Sequence, residues 1–185
     1  MKSNKTSITL VYTGEGKGKT SAALGLVCRV LGKGGKVAFI QFIKTWQVNE
    51  DHFMQAIQPV FKDKLVIHKG GKGFYNAGDM SAKGVSKAEH VATARQTYEK
   101  ALDSVRSGEY QAVICDEINN AVHDGLLTKT DLKKLIKAKH SSTSLCLTGR
   151  NFPEDLYDLA DIVSRMDKVR HHYDDGFKAI SGVDF

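Results

Sequence analysis

The chain has 185 residues, of which 41% are hydrophobic and 26% charged, and a formal net charge of +6. That length suits one globular domain with a sizeable core and leaves two domains cramped, while no apolar run approaches a membrane span. The basic residues are dispersed, without the aromatic-rich basic face of a nucleic-acid binder, and Met1-Lys2-Ser3-Asn4-Lys5 leads into a strand rather than a signal-peptide core, so the expectation is a cytoplasmic protein with neither nucleic acid nor membrane as partner.

Ile8-Thr9-Leu10-Val11-Tyr12 is an apolar, β-prone run, and Ser21-Ala22-Ala23-Leu24-Gly25-Leu26 opens a helix predicted to reach about Leu31. Between them stands Thr13-Gly14-Glu15-Gly16-Lys17-Gly18-Lys19-Thr20. Strand, glycine loop and helix in that order form a phosphate cradle. Glycines leave backbone N–H groups free to wrap an anion, the helix N-terminus adds partial positive charge, Lys19 adds a full one, and the Thr20 hydroxyl can ligate Mg²⁺. The spacing departs from G-x-x-x-x-G-K-[ST] at its first position, which is Thr13. The alternative is a glycine-rich turn with no ligand.

Lys36 to Ile43 reads as a strand buried on both faces, with Lys44 at its carboxyl end, the edge where open α/β sheets bind ligands. A short helix is predicted over Glu50 to Ile57 and a strand over Leu65 to His68. The loop that follows, Lys69 to Asn76, carries Phe74 and Tyr75, which either offer a flat surface to a flat ligand or tuck one ring into the core. Ser86 to Val105 is a long helix stopped by Gly108.

Tyr110 to Glu117 is a buried strand finishing in two carboxylates, Asp116 and Glu117. Such charges are costly at the end of an apolar run unless a cation sits beside them, and beside a phosphate loop that cation is most simply Mg²⁺. The alternative is a capping Asp followed by a surface Glu. Leu126 to Ala138 forms a helix capped by Thr128 or Thr130, Thr143 to Thr148 a strand, Pro153 to Leu159 a short helix and Ala160 to Met166 a last strand. Arg150, just after the Thr143 to Thr148 strand, is placed to hold phosphate oxygens. His171 and His172 invite a metal, but adjacent residues of an extended segment point to opposite sides, which favours a structural or substrate-edge role. Cys28, Cys115 and Cys146 each sit in an apolar run and are expected as buried small hydrophobes. The whole predicts an α/β, three-layer P-loop nucleotide-binding fold with a mainly parallel central sheet. It is expected to form one domain over 1–185, with a short arm at 1–7 and a tail at 167–185 contributing to the substrate site.

These residues resemble the P-loop class of ATP:corrinoid adenosyltransferases over nearly the whole chain, from Ile8 to Phe185. The resemblance is carried by Gly14 to Thr20, Gln41-Phe42-Ile43-Lys44, Gly73-Phe74, Asp116-Glu117-Ile118-Asn119, Thr148-Gly149-Arg150 with Pro153, Leu156, Ala160 and Asp161, and Arg170-His171 through Gly176, Ala179 and Gly182. It implies that cob(I)alamin attacks the 5′ carbon of ATP and releases triphosphate, with Mg²⁺ or Mn²⁺ present. Lys19, Phe74 and Glu117 would be catalytic. Thr13, Gly14, Glu15, Gly16, Lys17, Gly18, Lys19, Thr20, Ser21, Lys44 and Arg150 would bind ATP. Thr20, Asp116 and Glu117 would hold the metal, and Phe74, Tyr75, Asn76 and His171 would face the corrinoid, cobalamin or cobinamide. A homodimer and a flavin-dependent reductant are implied as well. Where the family commonly has Gly-Phe-Thr-Trp this chain reads Gly73-Phe74-Tyr75-Asn76, and Ile180 stands at a frequent glutamine position. Two other readings of the residues remain: a P-loop kinase or phosphotransferase on a small nucleoside-like substrate, and a non-catalytic ATP-dependent binding module.

Overall fold

A computed structural model describes residues 5–43, 48–73, 75, 82 and 84–184. Along the chain it has β1 (Thr9–Thr13), α1 (Lys19–Gly32), β2 (Val37–Gln41), α2 (Asn49–Phe61), β3 (Leu65–Lys69), α3 (Lys87–Ser107), β4 (Ala112–Asp116), α4 (Ile118–His123), α5 (Lys129–Ala138), β5 (Ser144–Thr148) and β6 (Ile162–Arg165). The strands form one six-stranded sheet in the order β3-β2-β4-β5-β1-β6, with every neighbouring pair parallel. The central strands β4, β5 and β1 lie side by side, so the loops leaving their carboxyl ends meet.

The apolar runs dictate the layers. All five residues of β2 are buried, and successive side chains alternate between faces. Ala38 and Ile40 join the core that Ala94, Tyr98, Ala101 and Leu102 of α3 and Leu132 and Leu135 of α5 build on one face. Val37 and Phe39 join Ala23, Val27 and Leu31 of α1 and Met54 of α2 on the other. Helices on both faces of a parallel sheet give the expected three-layer α/β fold. Among the described residues no helix is long and apolar enough to cross a membrane.

Local signals set the helix ends. Ser86 caps α3 by accepting from the Glu89 N–H while Glu89 accepts from the Ser86 N–H, and Gly108, at φ 70°, closes it in the left-handed region. The same reciprocal box at Thr128 and Asp131 starts α5 at Lys129, so the buried Leu126 and Leu127 precede that helix rather than open it. One helix was not anticipated. α4 follows Glu117, which adopts the left-handed region at φ 63° and turns the chain sharply out of β4. One cysteine also departs from expectation: Cys28 is exposed, while Cys115 and Cys146 are buried and their thiols pushed up by that burial. Ala23, Val27 and Leu31 define the inward stripe of α1, and Cys28, one residue past Val27, is turned about 100° away from it.

Candidate active site

The phosphate loop joins β1 to α1. Gly18 precedes the helix at φ 103°, no side chain caps the first turn, and that turn holds no acidic residue of its own, so its N–H groups are left without a capping side chain. Lys19 Nζ donates to the carbonyls of Gly14 and Gly16, each at 2.7 Å, and so lies back across the loop. Burial pushes the Lys19 ammonium below the usual lysine range, with the Glu117 carboxylate acting in the opposite direction. The alternating glycines have a second cause beyond anion binding. Gly14 sits at φ +101°, and a Cβ there would lie 2.4 Å from the Met166 carbonyl oxygen; Gly16 donates its N–H to that same oxygen at 2.7 Å. The loop is therefore pressed against the chain leaving β6.

Beneath the loop is a buried polar knot. Asp116, with no exposed surface, accepts from Thr20 Oγ1 at 3.0 Å and Thr148 Oγ1 at 2.7 Å on Oδ1, and from Gln41 Nε2 at 3.3 Å on Oδ2. Thr148 Oγ1 in turn accepts from the Glu117 N–H at 3.0 Å. The ends of β4, β5 and β2 and the start of α1 are thus joined through one carboxylate, and its negative charge is shared among donors rather than left bare. Glu117 leans outward and accepts from Asn120 Nδ2, whose partner atom Oδ1 accepts the Arg150 N–H at 2.6 Å. Arg150 Nη1 lies 3.2 Å from Glu15 Oε2, with both side chains 57% exposed. An ion pair so open to water is weak and readily exchanged.

Above the knot opens a cavity of about 610 Å³ lined by Glu15, Gly16, Lys17, Gly18, Lys19, Thr20, Ser21, Glu117 and Arg150, with Tyr75, Asn49 and Glu50 also on its wall. Two expected ATP residues stand elsewhere. Thr13 is 3% exposed and its hydroxyl accepts the Phe152 N–H at 3.1 Å, a structural task that keeps it out of the cavity, and Gly14 is turned toward Met166. Tyr75 lies 5.4 Å from the His90 ring, with Lys87 Nζ over its face, so it combines packing with a place on the cavity wall. Lys44, Phe74 and Asn76 lie outside the described residues.

His171 lines a neighbouring cavity of about 570 Å³ on the other side of Lys17, together with His172 and Asp184. The two histidine rings do not point to opposite sides as extended backbone suggested; they stack with centroids 4.7 Å apart. With Asp184 they form a cluster of metal-ligating type, in which His171 and Asp184 already have partners while the buried His172 Nε2 accepts no hydrogen bond among the described residues. His171 Nδ1 accepts the Tyr173 N–H at 3.1 Å, and Asp184 pairs with Lys17 and accepts the Ile180 N–H at 2.7 Å. These contacts, the Lys17 pair foremost, hold the Asp184 carboxyl down at about 2. Thr148, Gln41, Asn120 and Asp184 were not anticipated as parts of the site. A threonine closing an apolar strand beside Gly149 is the one signal among them that spacing alone offered.

The family model described as ATP:corrinoid adenosyltransferase BtuR/CobO/CobP matches residues 5–185. The corrinoid adenosyltransferase of Sinorhizobium sp is 32% identical over 185 residues, 100% of this chain and 83% of that protein. That of Pseudomonas aeruginosa is 31% identical over 179 residues, covering 96% and 83%, and that of Escherichia coli K12 is 29% identical over 179 residues, covering 96% and 85%. A phosphate loop, a paired carboxylate and an arginine brought to one sheet edge, together with a family match along almost the entire sequence, lead to one conclusion: the chain belongs to the ATP:corrinoid adenosyltransferase family.

Proposed function

We propose that this protein moves the 5′-deoxyadenosyl group of ATP to the cobalt of a reduced corrinoid and releases inorganic triphosphate. The observation that carries the reading is the cavity in which Lys17, Lys19, Thr20, Glu117 and Arg150 converge, in a chain matched to this family throughout. The cob(I)alamin cobalt attacks C5′; a cobalt–carbon bond forms, the C5′–O5′ bond breaks, and its electron pair leaves with the triphosphate. Cobalt passes formally from Co(I) to Co(III) and no proton need move. The nucleophile brings its own electron pair, so no activated serine, cysteine or general base is required.

What the residues must stabilise is a polyanionic leaving group. Lys19 turns from the Gly14 and Gly16 carbonyls to phosphate oxygens, the loop and helix amides of residues 16–21 close on them, and Lys17 and Arg150 give up their carboxylates for the same anion. Lys44 is assigned to the same anion on the resemblance. Thr20, Asp116 and Glu117 offer only oxygen, the donor set of Mg²⁺ and equally of Mn²⁺. Thr20 Oγ1 and Asp116 Oδ1 stand 3.0 Å apart, near the about 2.9 Å between adjacent ligands of an octahedral ion with bonds of about 2.0–2.1 Å. Bound there, the ion would neutralise charge on the departing triphosphate. The corrinoid is assigned to the side of Phe74, Tyr75, Asn76 and His171, and the reading includes one cytoplasmic domain acting as a homodimer and supplied by a flavin-dependent reductant.

The test is spectral. Titration with cob(II)alamin in the presence of ATP and Mg²⁺ should give a base-off, four-coordinate species, and Phe74→Ala should lose it while still binding ATP. An unchanged cob(II)alamin spectrum with wild-type protein contradicts the corrinoid assignment.

A further inference from the structure

Gly182, Val183 and Asp184, near the end of the chain, line the same cavity as the phosphate loop, and the way their segment is held is unusual. Phe177, Ile180 and Val183 are 63%, 53% and 75% exposed, whereas the Asp184 side chain is only 4% exposed. Polar contacts rather than apolar burial hold the segment. Asp184 pairs with Lys17 Nζ, which also donates to the Asp184 carbonyl at 3.4 Å; its Oδ2 accepts the Ile180 N–H at 2.7 Å and lies 3.2 Å from His172 Nε2. Ser181 Oγ accepts from Asn49 Nδ2, at the start of α2, at 3.1 Å. Lys17 stands between Gly16 and Gly18 in the phosphate loop, so one ammonium is claimed from two sides. It cannot neutralise Asp184 and a bound polyphosphate fully at once.

We infer that Asp184 is a positioning residue for Lys17, holding its ammonium off the phosphate seat until a triphosphate takes it, and taking it back as the triphosphate leaves. The inference rests on the adenosyl-transfer reading in one respect, that a triphosphate enters this loop. An almost buried carboxylate deprived of its cation is costly where it stands. With Ile180 and Val183 already in water, little apolar burial opposes the movement of residues 180–184 outward when Lys17 departs. By linkage the factor by which the triphosphate loosens this segment equals the factor by which the Asp184 contact weakens triphosphate binding. The contact would therefore favour release of the product that shares this seat.

Inorganic triphosphate is the probe, measured by calorimetry on the full chain, with amide hydrogen exchange over residues 177–184 read in parallel. Asp184→Asn should bind triphosphate about three- to tenfold more tightly, as expected for one charged contact that is partly open to solvent. Asp184→Glu should stay near wild type, and Asp184→Asn made on Lys17→Ala should have no further effect. Triphosphate should speed exchange in 177–184 of the wild-type protein. A merely structural Asp184 would give the opposite sign, with weaker binding in Asp184→Asn. That result, or an unchanged affinity where binding still depends on Lys19, overturns the inference and leaves the triphosphate seat standing. Triphosphate binding that is absent, or indifferent to Lys19→Ala, overturns both.

Discussion

The Thr20 hydroxyl donates to Oδ1 of Asp116 across 3.0 Å, tying the first turn of α1 to the end of β4 under the phosphate loop. Thr148 and Gln41 complete the shell of that buried carboxylate. Asp116→Asn retains an oxygen for both hydroxyls, and Gln41 can turn its amide to face the new NH₂, so stability should change by no more than about 1 kcal/mol. The lost charge should lower turnover by about a hundredfold or more. Asp116→Ala strands the two buried donors of Thr148 and Gln41 and should cost about 1–3 kcal/mol. Thermal unfolding and kcat measured on both variants separate the two roles; equal turnover in wild type and Asp116→Asn would remove Asp116 from the chemistry.

Lys19 supplies a prediction with a sign. Burial lowers its pKa in the ligand-free site, so it should titrate below the about 10.4 of a free lysine. A bound triphosphate favours the charged form and should raise that pKa. Affinity for triphosphate should accordingly fall as pH rises through the ligand-free value, earlier than an ordinary lysine would dictate. Nitrogen-15 NMR of the lysine side chains, with and without triphosphate, reads both numbers. Lys19→Ala should abolish the effect and cut turnover by at least about a hundredfold.

A loop glycine and a helix glycine predict opposite outcomes. A Cβ at Gly14 meets the Met166 carbonyl oxygen at 2.4 Å and the backbone there is left-handed, whereas a Cβ at Gly25, inside α1, meets nothing within 4 Å. Gly14→Ala should therefore destabilise the protein by about 2 kcal/mol or more, a fall of about 4–8 °C in Tm. Gly25→Ala should stabilise by up to about 1 kcal/mol through helix propensity. Thermal unfolding of the pair checks both signs.

These contrasts mark what was legible in the sequence. The β2 run and the buried strand ending in Asp116 and Glu117 fixed strand type and burial because both faces of a parallel strand need apolar side chains. The loop at Gly14 to Thr20 disclosed its chemistry because glycine, lysine and threonine at that spacing have few other uses. α4 was hidden because it depends on a left-handed Glu117 that no composition rule favours. The Asp116 knot joins residues 75 and 96 positions apart in sequence, and the Lys17 to Asp184 pair joins residues 167 apart. The Thr20 and Asp116 juxtaposition was expected through a shared cation, but only the folded sheet brings Gln41 to Asp116 and Asp184 to Lys17, and local pattern carried no trace of those two contacts. The place of Thr13 was hidden for a related reason: it stands at the first position of the loop motif, but the sheet buries its side chain and Phe152 uses its hydroxyl.

The most direct measurement is a single-turnover reaction under anaerobic conditions with ATP, Mg²⁺ and chemically reduced cobalamin, following the cobalt–carbon product by its light-sensitive spectrum and the phosphates by chromatography. The proposed reaction gives adenosylcobalamin and inorganic triphosphate in equal amounts. ADP as the product, or no cobalt–carbon bond while ATP remains bound, would contradict it.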